Sequence, residues 1–201
     1  AKRLFDLLIA AAGLLLLLLP GVVVAAVIRL DSPGPVFFRQ ERVGRHGRLF
    51  RIHKLRTMRV DAERQGLQLT VGDDARIARV GAWLRRTRLD ELPQLIDVLR
   101  GDMSLVGPRP EVPRYVAAYP PELREQVLSV RPGITDPASL RHLDETTLLA
   151  RAADPEREYI EVILPAKLRE AAAYAAQATL RTDLLVIGRT LRMLWQRLRG
   201  R

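Results

Sequence analysis

A run of 22 uncharged residues from Leu7 to Ile28 constrains this chain more than any other feature of its sequence. Six consecutive leucines occupy positions 14–19 within the run. A helix needs about 20 residues to cross the hydrocarbon core of a bilayer, so the run is long enough to span a membrane. The first prediction is therefore a membrane helix near the start of the chain.

Two features of the run also fit a helix that enters the membrane and returns. Pro20 and Gly21 lie inside it, where a proline breaks or kinks a helix. Lys2 and Arg3 precede the run and Arg29 follows it, and the positive-inside rule places both basic flanks in the cytoplasm. From local physics, a spanning helix and a re-entrant helix–break–helix are equal alternatives.

The charge of the chain points to an anionic partner. Of the 201 residues, 33 are Lys or Arg and 23 are Asp or Glu, and the net charge is +10. Nearly all the basic residues are arginine, which binds phosphate as a planar, bidentate donor. Nucleic acid, anionic lipid headgroups and phosphorylated small molecules are therefore candidate partners. Because the chain has no cysteine, disulfides, thiolate zinc sites and a cysteine nucleophile are excluded.

The segment after the apolar run has the pattern of a β-hairpin. VFFRQERV and LFRIHKL are strand-like, and GRHG between them supplies the turn. Eight basic residues and one acid lie between Arg39 and Arg59, so we expect this hairpin to meet headgroup phosphates. The polar segment 61–76 predicts a loop.

Apolar residues at helical spacing predict most of the remaining elements. The predicted helices cover 75–89, a short segment ending at Gly101, 111–128 with an interruption at Pro120, and 166–180. The short helix is expected to bury one face made of Leu92, Leu95, Ile96 and Leu99. Residues 136–165 have little regular pattern.

The C-terminal segment predicts an amphipathic helix with a basic face. Leu184, Leu191 and Trp195 share its apolar face, and Arg192 and Arg199 are among its charges. Such a helix packs on a protein core or lies in a membrane interface. The apolar N-terminal segment favours partial membrane contact.

Two adjacent carboxylates, Asp90 and Glu91, follow Arg85, Arg86 and Arg88 in the sequence. An acidic pair at a helix start is most often a solvated feature that complements the helix dipole. Near arginine, however, a carboxylate stays ionised and can act as a nucleophile or a metal ligand. Two carboxylates suit Mg²⁺, which prefers hard oxygen ligands and keeps positions open for substrate phosphates. The pattern indicates phosphate chemistry without specifying the reaction.

Two proline-rich loops and one strand carry further basic candidates. GPRP holds Arg109 and RPGIT holds Arg131, each in a stiff segment that fixes an arginine at low entropic cost. In HKLRTM, Lys54 and Arg56 fall on one side of a strand by two-residue alternation. A structural loop and a solvated hairpin face are the alternatives for these segments.

With these motifs in hand, the sequence resembles the bacterial sugar transferase family, the monotopic polyprenyl-phosphate glycosyl-1-phosphate transferases. The similarity extends from KRLFDLL through KLRTM to the end, and its most specific portion is LDELPQLIDVLRGDMSLVGPRPE followed by VRPGIT. The resemblance implies transfer of a sugar-1-phosphate from a UDP-sugar to undecaprenyl phosphate at the cytoplasmic face of the membrane, with release of UMP. Such an enzyme initiates a surface glycan such as exopolysaccharide, capsule or O-antigen.

The resemblance also implies roles for residues of this chain. Asp90 matches the nucleophile that forms a covalent phosphosugar intermediate, Glu91 matches its partner carboxylate, and Mg²⁺ is bound beside them. The phosphate- and nucleotide-contacting residues that match are Arg85, Arg109, Arg131, Lys54 and Arg56. The re-entrant helix–break–helix of the family matches a break at Pro20. Leu19 stands where many members have serine, and DPASLRHLDE departs from the commonest continuation of RPGIT, so the sugar is not predicted.

The expected fold is α+β and mainly helical, with a re-entrant membrane helix over 1–30 and a catalytic domain on the cytoplasmic face over 31–201. A small β-hairpin and interfacial amphipathic helices belong to that domain. Expected partners are the UDP-sugar, undecaprenyl phosphate and anionic lipids, with a homodimer left open and nucleic acid not expected. A Mg²⁺-dependent membrane phosphohydrolase and a non-catalytic, basic membrane-surface adaptor are the alternative functions.

Overall fold

The structure of the chain, a computed structural model, describes residues 1–60, 62, 69–72, 74–141 and 145–199. Helices predominate. The α-helices are α1 (Lys2–Asp31), α2 (Arg79–Thr87), α3 (Leu95–Arg100), α4 (Pro113–Val116), α5 (Pro121–Leu128), α6 (Pro137–Arg141), α7 (Glu145–Arg151), α8 (Pro155–Glu158), α9 (Leu164–Ala176) and α10 (Leu180–Arg199). The strands are β1 (Phe37–Val43), β2 (Leu49–Leu55), β3 (Ser104–Val106) and β4 (Gly133–Thr135). Tight 3-10 turns form Arg45–Gly47 and Leu89–Gln94, and Tyr159–Ile163 is π-helical.

The apolar run forms one helix, α1, which continues through Pro20. The predicted interruption at Pro20 is therefore not observed as a division into two helices. A proline removes only its own N–H donor, so the hydrogen bonds on either side can carry the helix onward. By length and composition α1 could cross a membrane, and only 6% of its most apolar window is buried.

The first turns of α1 are anchored to the folded domain by buried polar contacts. Asp6, which is buried, accepts a hydrogen bond from the Ser104 hydroxyl at 2.8 Å. Lys2 forms an ion pair with the buried carboxylate of Asp183 in α10. Tyr174 donates a second hydrogen bond to Asp183, so α9 and α10 both take part in this anchor.

The last turn of α1 contacts the same domain. The backbone N–H of Val80, in α2, donates to the Asp31 carboxylate at 3.0 Å, and Ile28 is buried. The guanidinium of Arg56 donates to the carbonyls of Ser32 and Pro33 directly after the helix. Both ends of α1 are thus attached to one domain, although 30 helical residues extend about 45 Å when straight.

The predicted β-hairpin is confirmed. β1 and β2 pair antiparallel, with Phe37 opposite Leu55 and Val43 opposite Leu49, and the turn falls at GRHG. A second sheet was not predicted: β3 and β4 pair in parallel and join GPRP to RPGIT. This pairing brings the two proline loops side by side.

Two apolar clusters fill the domain. One includes Leu95, Val98, Met103 and Val106 and extends to Ala10, Leu14 and Leu17 of α1. The other is built mainly from α4, α5 and α9, around Tyr115 and Tyr159. The membrane-type helix therefore contributes directly to one of the cores.

Most of the predicted helices are confirmed, namely α2, the pair α4 and α5, α9 and α10.

Two predictions are wrong. Leu99 is 39% exposed, and the buried face of α3 runs through Leu95, Asp97 and Val98 instead. Residues 136–165 contain α6, α7, α8 and the π-helical turn, which are too short to display a helical period. In the predicted loop 61–76, positions 61, 63–68 and 73 lie outside the described residues.

Candidate active site

Asp90 and Glu91 lie on the 3-10 turn between α2 and α3. The chain reverses at Arg88, whose φ of 59° ends α2 in the left-handed conformation. The turn then packs against β2, and both carboxylates are buried, with 2% and 4% of their surface exposed. The pair is therefore not a solvated helix start, which was the ordinary explanation for such a dipeptide.

Three basic side chains surround the pair. The Nζ atom of Lys54, near the end of β2, lies 2.9 Å from Asp90 Oδ2 and 3.5 Å from Glu91 Oε1. Arg109, from the GPRP loop, donates to Glu91 Oε1 at 2.8 Å. Arg88 donates to Glu91 Oε2 at 3.1 Å. The site thus joins a strand, a 3-10 turn and a proline loop.

Both oxygens of Glu91 are engaged, and its charge state follows from its partners. Burial alone would raise the pKa of Glu91, but the positive charges of Arg109, Lys54 and Arg88 outweigh burial and hold that pKa well below its ordinary value. Reciprocally, the negative charge of Glu91 raises the pKa of Arg109. Glu91 is therefore a fixed anion that organises the surrounding cations.

Asp90 is the carboxylate with spare binding capacity. Its Oδ1 atom is buried and has no hydrogen-bond partner among the described residues. A buried carboxylate oxygen without a partner is unfavourable unless a ligand, a metal ion or a reacting atom occupies that position. Oxygen is also the donor that Mg²⁺ prefers, so Asp90 fits a magnesium site better than Glu91 does.

The protein offers few ligands beyond this pair. In the described ranges no group of three or more His, Cys, Asp or Glu side chains could hold a metal ion. That is compatible with Mg²⁺, which is commonly held by one or two carboxylates together with water and substrate phosphates. The donor set therefore matches a metal that arrives with a phosphorylated substrate.

Arg85 is placed close to the acidic pair. Its Nη2 atom donates to the Thr70 hydroxyl at 2.7 Å. Burial lowers the pKa of Arg85, and the charges of Asp90 and Asp74 oppose that shift. Lys54, Arg85 and Arg109 thus place positive charge around the two carboxylates.

Two predicted phosphate-binding residues lie elsewhere. Arg56 is buried and binds the chain that follows α1, so its guanidinium is committed to backbone carbonyls. Arg131 donates through Nε to the Gly101 carbonyl at 2.9 Å and lines a different cavity. The structure does not bring either side chain to Asp90.

The close approach of two glycines positions the proline loops. A Cβ atom built on Gly133 would lie 2.0 Å from the Gly107 backbone nitrogen, so neither strand end can carry a side chain there. Gly107 immediately precedes the PRP segment that holds Arg109. The glycine of each loop is therefore required for the contact that orients the arginines.

Sequence reasoning assigned no role to Arg88 or Asp97. Arg88 could have been recognised by its three-residue spacing from Glu91. Asp97 is buried and accepts hydrogen bonds from the backbone N–H and the Nδ1 atom of His53, at 2.8 and 2.5 Å. His53 directly precedes Lys54, so Asp97 fixes the strand that delivers the lysine. The signal for Asp97 in the sequence was a single acidic residue on an apolar face of α3.

Comparison with known proteins identifies the family of this chain. A family model described as bacterial sugar transferase matches residues 1–197. The UDP-N-acetylgalactosamine-undecaprenyl-phosphate N-acetylgalactosaminephosphotransferase of Aeromonas hydrophila is 38% identical over 193 residues, covering 95% of this chain and 43% of that protein. The UDP-glucose:undecaprenyl-phosphate glucose-1-phosphate transferase of Caulobacter vibrioides is 45% identical over 145 residues, covering 71% of this chain and 54% of that protein.

A third relative is the exopolysaccharide production protein PSS of Rhizobium leguminosarum, 43% identical over 149 residues, covering 71% of this chain and 74% of that protein. The matched region spans about half the length of the Aeromonas and Caulobacter relatives. The family match nevertheless includes the apolar helix, the acidic pair and both proline loops. The chain belongs to the bacterial sugar transferase family.

Proposed function

We propose that this protein is a phosphoglycosyl transferase that moves a sugar-1-phosphate from a UDP-sugar to undecaprenyl phosphate and so initiates a surface glycan. One observation carries the proposal: the buried Asp90 has an oxygen with no hydrogen-bond partner among the described residues, and Lys54 and Arg85 place positive charge beside it. The names of the Aeromonas and Caulobacter relatives support the donor and the acceptor.

In the first proposed step, a carboxylate oxygen of Asp90 attacks the β-phosphorus of the UDP-sugar. An Asp–phosphorus bond forms, the bond from that phosphorus to the bridging oxygen breaks, and UMP leaves with the electron pair. In the second step, a phosphate oxygen of undecaprenyl phosphate attacks the same phosphorus and frees Asp90. The product is an undecaprenyl diphosphosugar, and atoms and charge balance over the two steps.

The surrounding residues serve this sequence by managing charge. Lys54, at 2.9 Å from Asp90, orients the carboxylate and offsets the repulsion between it and an incoming phosphate. Arg109 and Arg85 are placed to bind the phosphates of the donor. Mg²⁺, held by Asp90 and more weakly by Glu91, would neutralise developing charge on the phosphate oxygens. Glu91 holds Arg109, Arg88 and Lys54 in one arrangement.

A monotopic placement on the cytoplasmic face of the membrane is part of the proposal. Both ends of α1 bind the same domain, through Asp6 and Asp31, which supports a helix that stays on one side rather than crossing. The exposed leucines and valines of α1 would then meet lipid. Leu191, Trp195 and Leu198 of α10 are also more than half exposed, which suits an interfacial helix.

The experiment that tests the proposal measures UMP release by detergent-solubilised protein across a panel of UDP-sugars. Each reaction is run with and without Mg²⁺ and undecaprenyl phosphate, for the unmodified protein, for Asp90→Asn and for Asp154→Asn. Asp154 caps α8 far along the chain, and asparagine also caps helices, so this variant is a matched control. We expect UMP release that requires undecaprenyl phosphate and occurs with one of the UDP-sugars. We expect only Asp90→Asn to lose it.

Intact-mass detection of a phosphosugar adduct without acceptor would identify the nucleophile. UMP release that ignores undecaprenyl phosphate would instead favour the phosphohydrolase. No release with any donor from folded protein, combined with salt-sensitive membrane binding, would favour the adaptor.

A further inference from the structure

A second basic cavity lies at the turn between β1 and β2. Its volume is about 190 Å³, and its basic side chains are Arg45, His46, Arg48 and Arg131. Asp102 is the acidic residue in its wall. None of the residues that contact Asp90 or Glu91 lines it, so the cavity is separate from the candidate active site.

Among the described residues, no acidic side chain forms an ion pair with the arginines of this cavity. Arg45 and Arg131 each use Nε to donate to a backbone carbonyl, that of Ser129 at 2.8 Å and that of Gly101 at 2.9 Å. Their terminal nitrogens have no acceptor in the part of the chain that the structure describes, and the Arg48 side chain has none there either.

This arrangement is suited to an anion that accepts several hydrogen bonds at once, such as a phosphate group. The Nε bonds fix two guanidinium groups while leaving their outer nitrogens available, and an arginine oriented in advance loses less entropy when it binds. The backbone of Arg131 is itself held, because its carbonyl would lie 2.2 Å from a Cβ atom on Gly107. Arg45, Arg48 and Arg131 therefore give this cavity a net positive charge, although Asp102 also lies in its wall.

The volume of the cavity bears on the size of the group that it can hold. Pockets for drug-sized molecules measure about 300–1,000 Å³, and 190 Å³ lies below that range. A phosphate group fits within a cavity of this volume. We propose that Arg45, Arg48 and Arg131 form a second phosphate-binding site, distinct from the acidic pair. The proposal does not depend on the transfer reaction.

Two sources could supply such a phosphate group: a phospholipid headgroup and a free phosphate ion. The cavity wall touches the start of α1, since a Cβ atom on Gly101 would lie 3.4 Å from Nη2 of Arg3. An anionic headgroup beside the apolar helix would therefore lie within reach. The chemistry at the arginines is the same for either source.

The test uses the full chain in two arms. In the first, protein in a neutral detergent is titrated calorimetrically with inorganic phosphate. In the second, protein in nanodiscs of phosphatidylcholine, alone or mixed equally with phosphatidylglycerol, is analysed by native mass spectrometry for retained lipid. The variants are Arg45→Gln and Arg48→Gln, and Arg151→Gln changes an exposed arginine that does not line the cavity.

We expect each cavity variant to weaken binding about tenfold, as loss of a charge-assisted hydrogen bond predicts, and the control to bind normally. A loss confined to phosphatidylglycerol identifies the headgroup, and a loss confined to phosphate identifies the free ion. Because the Arg48 side chain makes no hydrogen bond to the residues that the structure describes, its variant tests the site even if Arg45→Gln disturbs the turn. Absence of binding in both arms, or equal binding by all variants, overturns the proposal. UMP release from the same preparations reports on the transfer reaction separately.

Discussion

Lys54 Nζ lies 2.9 Å from Oδ2 of Asp90, whereas the other carboxylate oxygen, Oδ1, has no hydrogen-bond partner in the described part of the chain. One oxygen of the candidate nucleophile is thus held by a strand residue, while the other stays available for chemistry. The ion pair is buried on the aspartate side and only partly exposed at the lysine. Through Lys54, strand β2 therefore helps to orient the carboxylate of Asp90.

Substituting Lys54 with methionine should lower kcat about a hundredfold, because a positive charge that offsets the substrate phosphate is lost. Lys54→Arg keeps the charge and should retain more activity than Lys54→Met. Steady-state UMP release at saturating donor measures both. An unchanged kcat in Lys54→Met would show that the lysine is structural.

Arg109→Gln should change how stability depends on pH. The low pKa of Glu91 in the folded protein stabilises the fold above its ordinary pKa of about 4.3, and that contribution is lost as pH falls through the folded value. Without Arg109 the folded pKa of Glu91 rises, so less stability remains to be lost on acidification. The thermal midpoint should be lower at neutral pH and should fall less between pH of about 6 and about 3.

The matched control is Arg114→Gln, whose partner Glu156 lies at 2.9 Å in an ion pair with a largely exposed arginine. Exposed pairs contribute little, so its acid profile should parallel that of the unmodified protein. Parallel profiles for Arg109→Gln as well would contradict the assigned role of Arg109.

Gly133→Ala should destabilise the protein by about 1–3 kcal/mol, because the new Cβ atom would overlap the backbone of Gly107. Activity should fall as well, since the displaced loop carries Arg109. Gly188→Ala provides the control within α10, where a Cβ atom meets nothing within 4 Å. Alanine favours helix, so that variant should gain up to about 1 kcal/mol. Thermal unfolding followed by circular dichroism distinguishes the two, and a neutral Gly133→Ala would refute the steric explanation.

Asp97→Ala should cost about 1–3 kcal/mol, because it leaves the buried backbone N–H of His53 without an acceptor. Asp97→Asn keeps one oxygen at that position and should be milder. Because His53 precedes Lys54, both variants should also reduce kcat, in the same order. Thermal stability and UMP release, measured on the same samples, test whether Asp97→Ala is affected more than Asp97→Asn. A larger effect in Asp97→Asn would contradict this explanation.

The parts of the site that the sequence predicted were those determined locally. Asp90 and Glu91 are adjacent in the chain, and the alternation of β2 places Lys54 on a defined face. Arg109 follows from a loop whose prolines restrict its backbone. In each case the functional side chain can be placed from residues only a few positions away in the sequence.

Two features of the structure did not follow from the sequence, for a different reason. The direction of the Arg131 side chain depends on the parallel pairing of β3 with β4, which joins segments about thirty residues apart. The exposure of Leu99 depends on which side of α3 faces α1. Neither relation leaves a periodic signal in the sequence, because both arise from tertiary packing.

The ion pair between Lys2 and Asp183 joins residues 181 positions apart. The ribosome makes the first partner long before the second, and N-terminal segments generally emerge first during synthesis. Until α10 emerges, the start of α1 lacks its acceptor, and Ala10, Leu14 and Leu17 lack part of their core. Synthesis of α10 therefore completes the attachment of α1, and a nascent chain stalled before Asp183 would lack the ion pair that Lys2 forms.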